Sequence, residues 1–268
     1  MNSGLKPDDL LVGVADGIGT LTLNRPDTRN AVDPEYLERL IVSVEALDAD
    51  PEVRVLVLRG AGKSFSAGGS MAFLRALPQM DTDTIRRNVY DRFQGITRAL
   101  VHCSKPVIAS LHGAVVGAAC EMAAACDMRL AADDAFFCEN WVDLGLMPPL
   151  GGLFLLPRFI GLGRATEMVM TGERIGAVEA CKIGLVNRVV PLAELEAETK
   201  RMAALLASKS PNALRVIKQA LRRGQGSTIS AEWEFNVYAQ IGLIRGPDFK
   251  RFTDGLPGPK HKDATQNS

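Results

Sequence analysis

The apolar positions change period several times along the chain, and each change marks an element. Leu10 to Ala15 and Thr20 to Leu23 are short apolar runs separated by Asp16-Gly17-Ile18-Gly19, which predicts a hairpin with a glycine-rich turn. Asn24 to Asn30 reads as a loop. Asp33-Pro34 then opens a helix, Asp as N-cap and Pro at the first helical position. Leu37, Leu40, Ile41, Val44 and Leu47 follow at helical spacing. Val53 to Leu58 is rich in β-branched residues and predicts a strand. A glycine-dense loop covers residues 60–69, helical spacing resumes from Asp83 to Leu100, and Pro106 to Leu111 predicts a further strand. His112-Gly113 leads into a helix of small residues around Glu121. Met128 to Ala131 and Ala135 to Cys138 read as two more strands. Beyond Gly151-Gly152 the pattern is mainly helical, with one amphipathic helix opening at Pro211 and another over Ser230 to Ile244. Strands alternating with helices, then helices alone, predict an α/β core with a helical C-terminal part. The division expected is a core over residues 1–200, a helical region over 201–254 and a loosely ordered tail over 255–268.

Composition narrows the function. The 268 residues are 47% hydrophobic and 23% charged, as in ordinary globular proteins. Lys+Arg and Asp+Glu both number 31, so the balance gives no support to a nucleic-acid binder. The five cysteines form no CxxC pair and no metal-like spacing with the three histidines, so no metal site is expected. They read as small core residues of a reducing compartment. With no secretory pattern near the start and no long apolar run, the expected location is cytoplasmic, without a membrane span.

Glu121 is the most informative residue. It is the only charge in Gly117-Ala118-Ala119-Cys120-Glu121-Met122-Ala123-Ala124-Ala125-Cys126. A carboxylate there faces a polar cavity or is buried at high cost, and a desolvated acid beside small residues suits a general acid or base. The competing reading is a surface glutamate on an alanine-rich helix. Two loops add to the first reading: Ser64-Phe65-Ser66-Ala67-Gly68-Gly69 and Gly113-Ala114-Val115-Val116-Gly117-Ala118 each follow a predicted strand. Small residues there leave backbone N–H groups open to a ligand oxygen, and two such donors stabilise an enolate or oxyanion; one is worth about 3–4 kcal/mol. The chain has no dinucleotide fingerprint, phosphate loop or GxSxG elbow. His112 reads as a residue that positions its loop.

These residues resemble the enoyl-CoA hydratase/isomerase (crotonase) family over nearly the whole chain, to about residue 223. The resemblance rests on Leu23-Asn24-Arg25-Pro26 with Arg29-Asn30-Ala31, on Phe65-Ser66-Ala67-Gly68-Gly69, and on Gly117 to Glu121 with Cys126-Asp127. Leu144-Gly145-Leu146-Met147-Pro148, Gly151-Gly152, Thr171-Gly172-Glu173-Arg174-Ile175 and Gly184 to Pro191 continue it in order. It implies a crotonase-like spiral of β-β-α turns with a C-terminal helical trimerisation region, hence a homotrimer or a hexamer. It also implies an acyl-CoA substrate, no separate cofactor, oxyanion donors at Ala67 and Ala118, and Glu121 as acid/base. Arg29, Ala31, Ser66, Gly68, Gly69 and Gly117 fall where the family contacts its substrate.

The departures matter more. The second glutamate of the hydratases aligns with Trp141, and Ser70 stands where many members have aspartate. An indole offers one weak donor and no acceptor, so it replaces no general base. Weak or absent activity on short straight-chain 2-enoyl-CoA is expected unless Glu139 or Asp143 takes over. Trp141 either walls a bulky or aromatic acyl group or fills the vacated space. Pro149 stands where the aromatic acyl-CoA dehalogenases carry their nucleophilic aspartate, which excludes that chemistry. The label implied is an atypical enoyl-CoA hydratase. The alternatives are a lyase, decarboxylase or hydrolase on a bulky acyl-CoA, or a non-catalytic acyl-CoA binder.

Overall fold

The computed structural model describes residues 6–255. Among the described residues nine strands form two sheets: β1 (Leu10–Ala15), β2 (Ile18–Leu23), β3 (Val55–Gly60), β4 (Val107–Leu111), β5 (Ala114–Val116), β6 (Met128–Ala132), β7 (Phe136–Cys138), β8 (Ile175–Gly176) and β9 (Arg188–Val190). The larger sheet runs β1-β2-β3-β4-β6-β9, parallel except for the β1/β2 hairpin. The smaller one, β5-β7-β8, pairs β5 with β7 in parallel. The hairpin turn is the two residues Asp16-Gly17, with Ala15 opposite Ile18.

Twelve helices occur among the described residues: α1 (Pro34–Ala49), α2 (Met71–Ala76), α3 (Thr82–Arg87), α4 (Gln94–His102), α5 (Ala118–Ala125), α6 (Gly152–Ile160), α7 (Leu162–Thr171), α8 (Ala177–Lys182), α9 (Leu195–Ala207), α10 (Pro211–Gly224), α11 (Ile229–Ile244) and α12 (Pro247–Asp254). Asp33 caps α1 as its sequence requires, accepting the Tyr36 N–H at 2.9 Å. The single helix expected from Asp83 to Leu100 is broken. A wider turn over Asn88–Phe93 separates α3 from α4. The Phe93 ring stacks on Phe73 there, with centroids 5.3 Å apart.

The central parallel strands of the larger sheet are buried on both faces, while the edge strand β1 is largely exposed. One face, through Leu21, Leu56, Leu58, Ala109 and Ala131, packs with α1, α4, α5 and α6 in the main core. The other, through Val55, Val57, Ile108 and Leu130, packs under Leu195, Met202 and Ala203 of α9. That packing carries the first unit to Lys209, so the division falls at Lys209/Ser210 and residues 201–207 finish a core helix. The second unit holds α10, α11 and α12, with Ser210 and Thr228 as side-chain caps of the first two. Trp233 and Tyr238 of α11 are exposed. The expected loosely ordered tail lies outside the described residues apart from Gly255.

Candidate active site

Every residue of α5 is buried, Glu121 included at 0% exposure. Alanine makes this short segment helical and lets it fit between α4 and α6 without large side chains. The surface reading of Glu121 is thereby excluded. Its Oε2 accepts the Leu150 N–H at 2.9 Å and the Gly152 N–H at 2.6 Å. A Cβ on Gly152 would stand 2.9 Å from both Cγ and Oε2 of Glu121, so the close approach needs glycine. Oε1 is buried and has no hydrogen-bond partner among the described residues. Burial pushes the Glu121 acid up to about 7, against the lowering effect of the two amides.

The segment holding those amides is itself anchored on α4. Gln94 Nε2 donates to the Pro149 carbonyl at 2.8 Å, and Thr97 Oγ1 lies 2.7 Å from the Leu150 carbonyl. Helix α4 therefore sets where the Glu121 carboxyl sits.

The two glycine-rich loops touch. Ser66 N donates to the Ala114 carbonyl at 3.0 Å, and Val116 N donates to the Ser66 carbonyl at 3.2 Å. Gly68 has φ +87°, and a Cβ there would collide with the Val116 carbonyl and lie 3.5 Å from the Ala118 nitrogen. The expected donor at Ala67 fails for a plain reason: its N–H is spent on the Arg29 carbonyl at 2.9 Å. The Gly68 N–H is likewise taken, by Ser66 Oγ at 3.1 Å. The N–H groups of Gly69 and Ala118 have no partner among the described residues. Ala118 opens α5, where a free N–H and the helix dipole favour negative charge.

Asn30 ties this framework together. Fully buried and in the left-handed region at φ 56°, it gives its amide to the carbonyls of Ala61, Ser64 and Phe65 at 2.9, 2.8 and 3.1 Å. Its own carbonyl accepts Ser66 Oγ at 2.8 Å. Ser66, expected at the substrate, is therefore turned inward and fully buried. Arg29 is exposed and forms no ion pair among the described residues, while Ala31 is half-buried beside it.

The carboxylate missing from position 141 has a counterpart two residues earlier. Asp143 is exposed, but Glu139 is 0% exposed and neither of its oxygens has a partner. Trp141 is 5% exposed, and its ring atoms Cε2 and Cζ2 lie 3.5 and 3.6 Å from where a Gly117 Cβ would stand. The indole thus lies against the residue preceding the free Ala118 amide. Its N–H is near enough to both glutamates to lower their pKa, yet falls outside hydrogen-bonding geometry to either. Burial, then the charge of Glu121, pushes the Glu139 acid well above the usual carboxylate range.

A separate cleft of about 940 Å³ opens on the α9 side of the larger sheet, lined by residues such as Leu11, Thr20, Arg59, His112 and Lys200. It holds neither glutamate. His112, within it, bonds the Gly62 carbonyl at 3.0 Å and so fixes its own loop. No metal-binding cluster occurs among the described residues.

Comparison with known proteins identifies the family. The family model for enoyl-CoA hydratase/isomerase matches residues 13–253. A crotonyl-CoA hydratase of Syntrophomonas wolfei is 36% identical over 223 residues, covering 83% of this chain and 84% of that protein. A trans-2-decenoyl-[acyl-carrier-protein] isomerase of Streptococcus mutans is 37% identical over 243 residues, covering 90% and 92%. The crystal structure of a putative enoyl-CoA hydratase from Streptomyces coelicolor superposes with TM-score 0.88 at 31% identity, over 96% of each chain. The chain therefore belongs to the enoyl-CoA hydratase/isomerase family. It has the crotonase fold and is an acyl-CoA enzyme.

Proposed function

We propose that the protein adds water across the double bond of a 2-enoyl-CoA thioester, with Glu121 as its acid/base. One observation carries the reading: a fully buried acid has one oxygen fixed by two amides and the other free, three residues along the helix from an unpaired amide. In the proposed reaction the Gly69 and Ala118 N–H groups hold the thioester oxygen as it gains charge. The water oxygen bonds to the β-carbon as the double-bond electrons move onto the thioester oxygen, Glu121 Oε1 takes a proton from that water, and Glu121 then returns the proton to the α-carbon as the enolate collapses. A pKa of about 7 suits an acid that must both accept and return a proton near neutrality.

Trp141 forms one wall beside the oxyanion amides, which supports an acyl group with a flat or bulky portion. Arg29 is assigned to the phosphate groups of CoA, a role supported by its exposure and by its forming no ion pair among the described residues. A trimer or a hexamer is proposed as the working form, and the exposed aromatic residues of α11 support it. The test follows the loss of conjugated thioester absorbance with crotonyl-CoA and with an aromatic enoyl-CoA, alongside Glu121→Gln. Hydration abolished by Glu121→Gln supports the assignment. Normal turnover in that variant ends it, and double-bond migration without water uptake replaces hydratase by isomerase.

A further inference from the structure

We infer that Glu139 is a positioning residue that carries a proton while Glu121 works, the two carboxyls and the Trp141 indole acting as one proton-sharing cluster. The inference rests on the assignment of Glu121 as acid/base and concerns a residue to which that assignment gives no task.

The argument begins with what surrounds Glu139. It directly follows β7, at the end of the strand beside β5, and is wholly buried. The groups facing it are Glu121 and Cys120 of α5, with the Trp141 indole; its strand neighbour Cys138 is the other titratable group close by. Neither glutamate forms an ion pair with Lys, Arg or His among the described residues. Four buried polar atoms are left without partners there: Glu121 Oε1, both oxygens of Glu139, and Trp141 Nε1.

Two adjacent carboxylates with no cation and no water-exposed face cannot both stay ionised. Each unpaired charge would lose its hydration without compensation, and their mutual repulsion would add to that. One proton on Glu139 resolves most of the deficit. It turns an acceptor-only group into a donor, leaves Glu121 as the acceptor, and gives the indole N–H a single anion to serve. Cys120 and Cys138 remain thiols, since burial pushes both up. The direction for Glu139, raised by burial and then by Glu121, agrees with this assignment.

The consequence for turnover is specific. Glu121 exchanges its proton beside a neutral neighbour, so its free oxygen stays correctly turned. Once alkaline pH strips Glu139, two anions face each other and the Glu121 carboxyl loses that setting. Glu139 touches neither substrate nor water in this scheme; it acts through Glu121.

The test uses Glu139→Gln, which keeps the shape and stays neutral. In the parent, kcat/KM against pH has a rising acid limb and a falling alkaline limb; the variant keeps the first and lacks the second. KM for the CoA ester stays within about twofold, because no ground-state contact is removed. Infrared difference spectra of the ligand-free enzyme at mildly alkaline pH, where Glu121 has released its proton, show a protonated carboxyl stretch that the variant lacks. Glu139→Met, apolar and of similar length, gives the same infrared reading where glutamine disturbs folding. Superimposable pH profiles, or a protonated carboxyl signal unchanged in both variants, overturn the inference. Because the infrared reading needs no turnover, its failure is distinct from that of the acid/base assignment, which Glu121→Gln tests.

Discussion

Replacing Glu121 with glutamine should make stability less sensitive to pH, and the size of the effect follows from its burial. The folded protein holds the carboxyl at about 7 against an ordinary 4.5. A tenfold change in proton affinity is worth about 1.4 kcal/mol, so the displacement is worth about 3 kcal/mol. The sign is unfavourable to the parent. Below about pH 4.5 the folded and unfolded chains are both protonated at this site and nothing is lost. As pH rises toward 7 the unfolded chain releases its proton first, so the parent loses stability until Glu121 itself ionises. Glutamine accepts the Leu150 and Gly152 amides equally well through its carbonyl and has no proton to release. The stability of Glu121→Gln relative to the parent should therefore grow by about 3 kcal/mol between mildly acidic and mildly alkaline pH. Urea unfolding of both proteins across that range measures it. A difference that stays flat with pH would refute the claim that the native state holds this acid desolvated.

Other consequences can be checked separately. Asn30→Ala strands three carbonyls and the Arg25 N–H that Asn30 Oδ1 accepts at 2.8 Å, and should cost about 2–4 kcal/mol in urea unfolding. Gly152→Ala places a methyl 2.9 Å from the Glu121 carboxyl and Cγ. Pushing that acid aside by even an ångström should lower kcat about 10²-fold, with the far-ultraviolet circular dichroism unchanged. Thr97→Val releases the Leu150 carbonyl and should lower kcat while leaving KM for the CoA ester in place, as steady-state kinetics would show. Asp33→Ala removes the cap of α1 and should lower stability by about 1 kcal/mol without touching turnover.

Local chemistry made much of this molecule legible. The hairpin, the Asp33 cap and the alternation of strands with helices are short-range patterns, and each stands within a few residues of where its spacing placed it. Strands β5, β8 and β9 escaped because two or three residues carry no period; they exist only through pairing with distant partners. The break at Asn88–Phe93 escaped for a similar reason, since apolar spacing continues through a wider turn. At the site, Glu121 declared itself as a charge among alanines. The unpartnered amide of the first loop did not, because Ala67 and Gly69 are both small. Only the Arg29 carbonyl, brought in by the Asn30 loop from far along the chain, decides that one N–H is spent and the other free. Glu139 shows both limits at once. It keeps step with Phe137 at a strand's period of two, which points it inward past the end of β7. What made it uninterpretable was the identity of its neighbours: a carboxyl on a strand becomes a proton-holding group only when folding sets a second carboxyl beside it and leaves no cation to settle the charge.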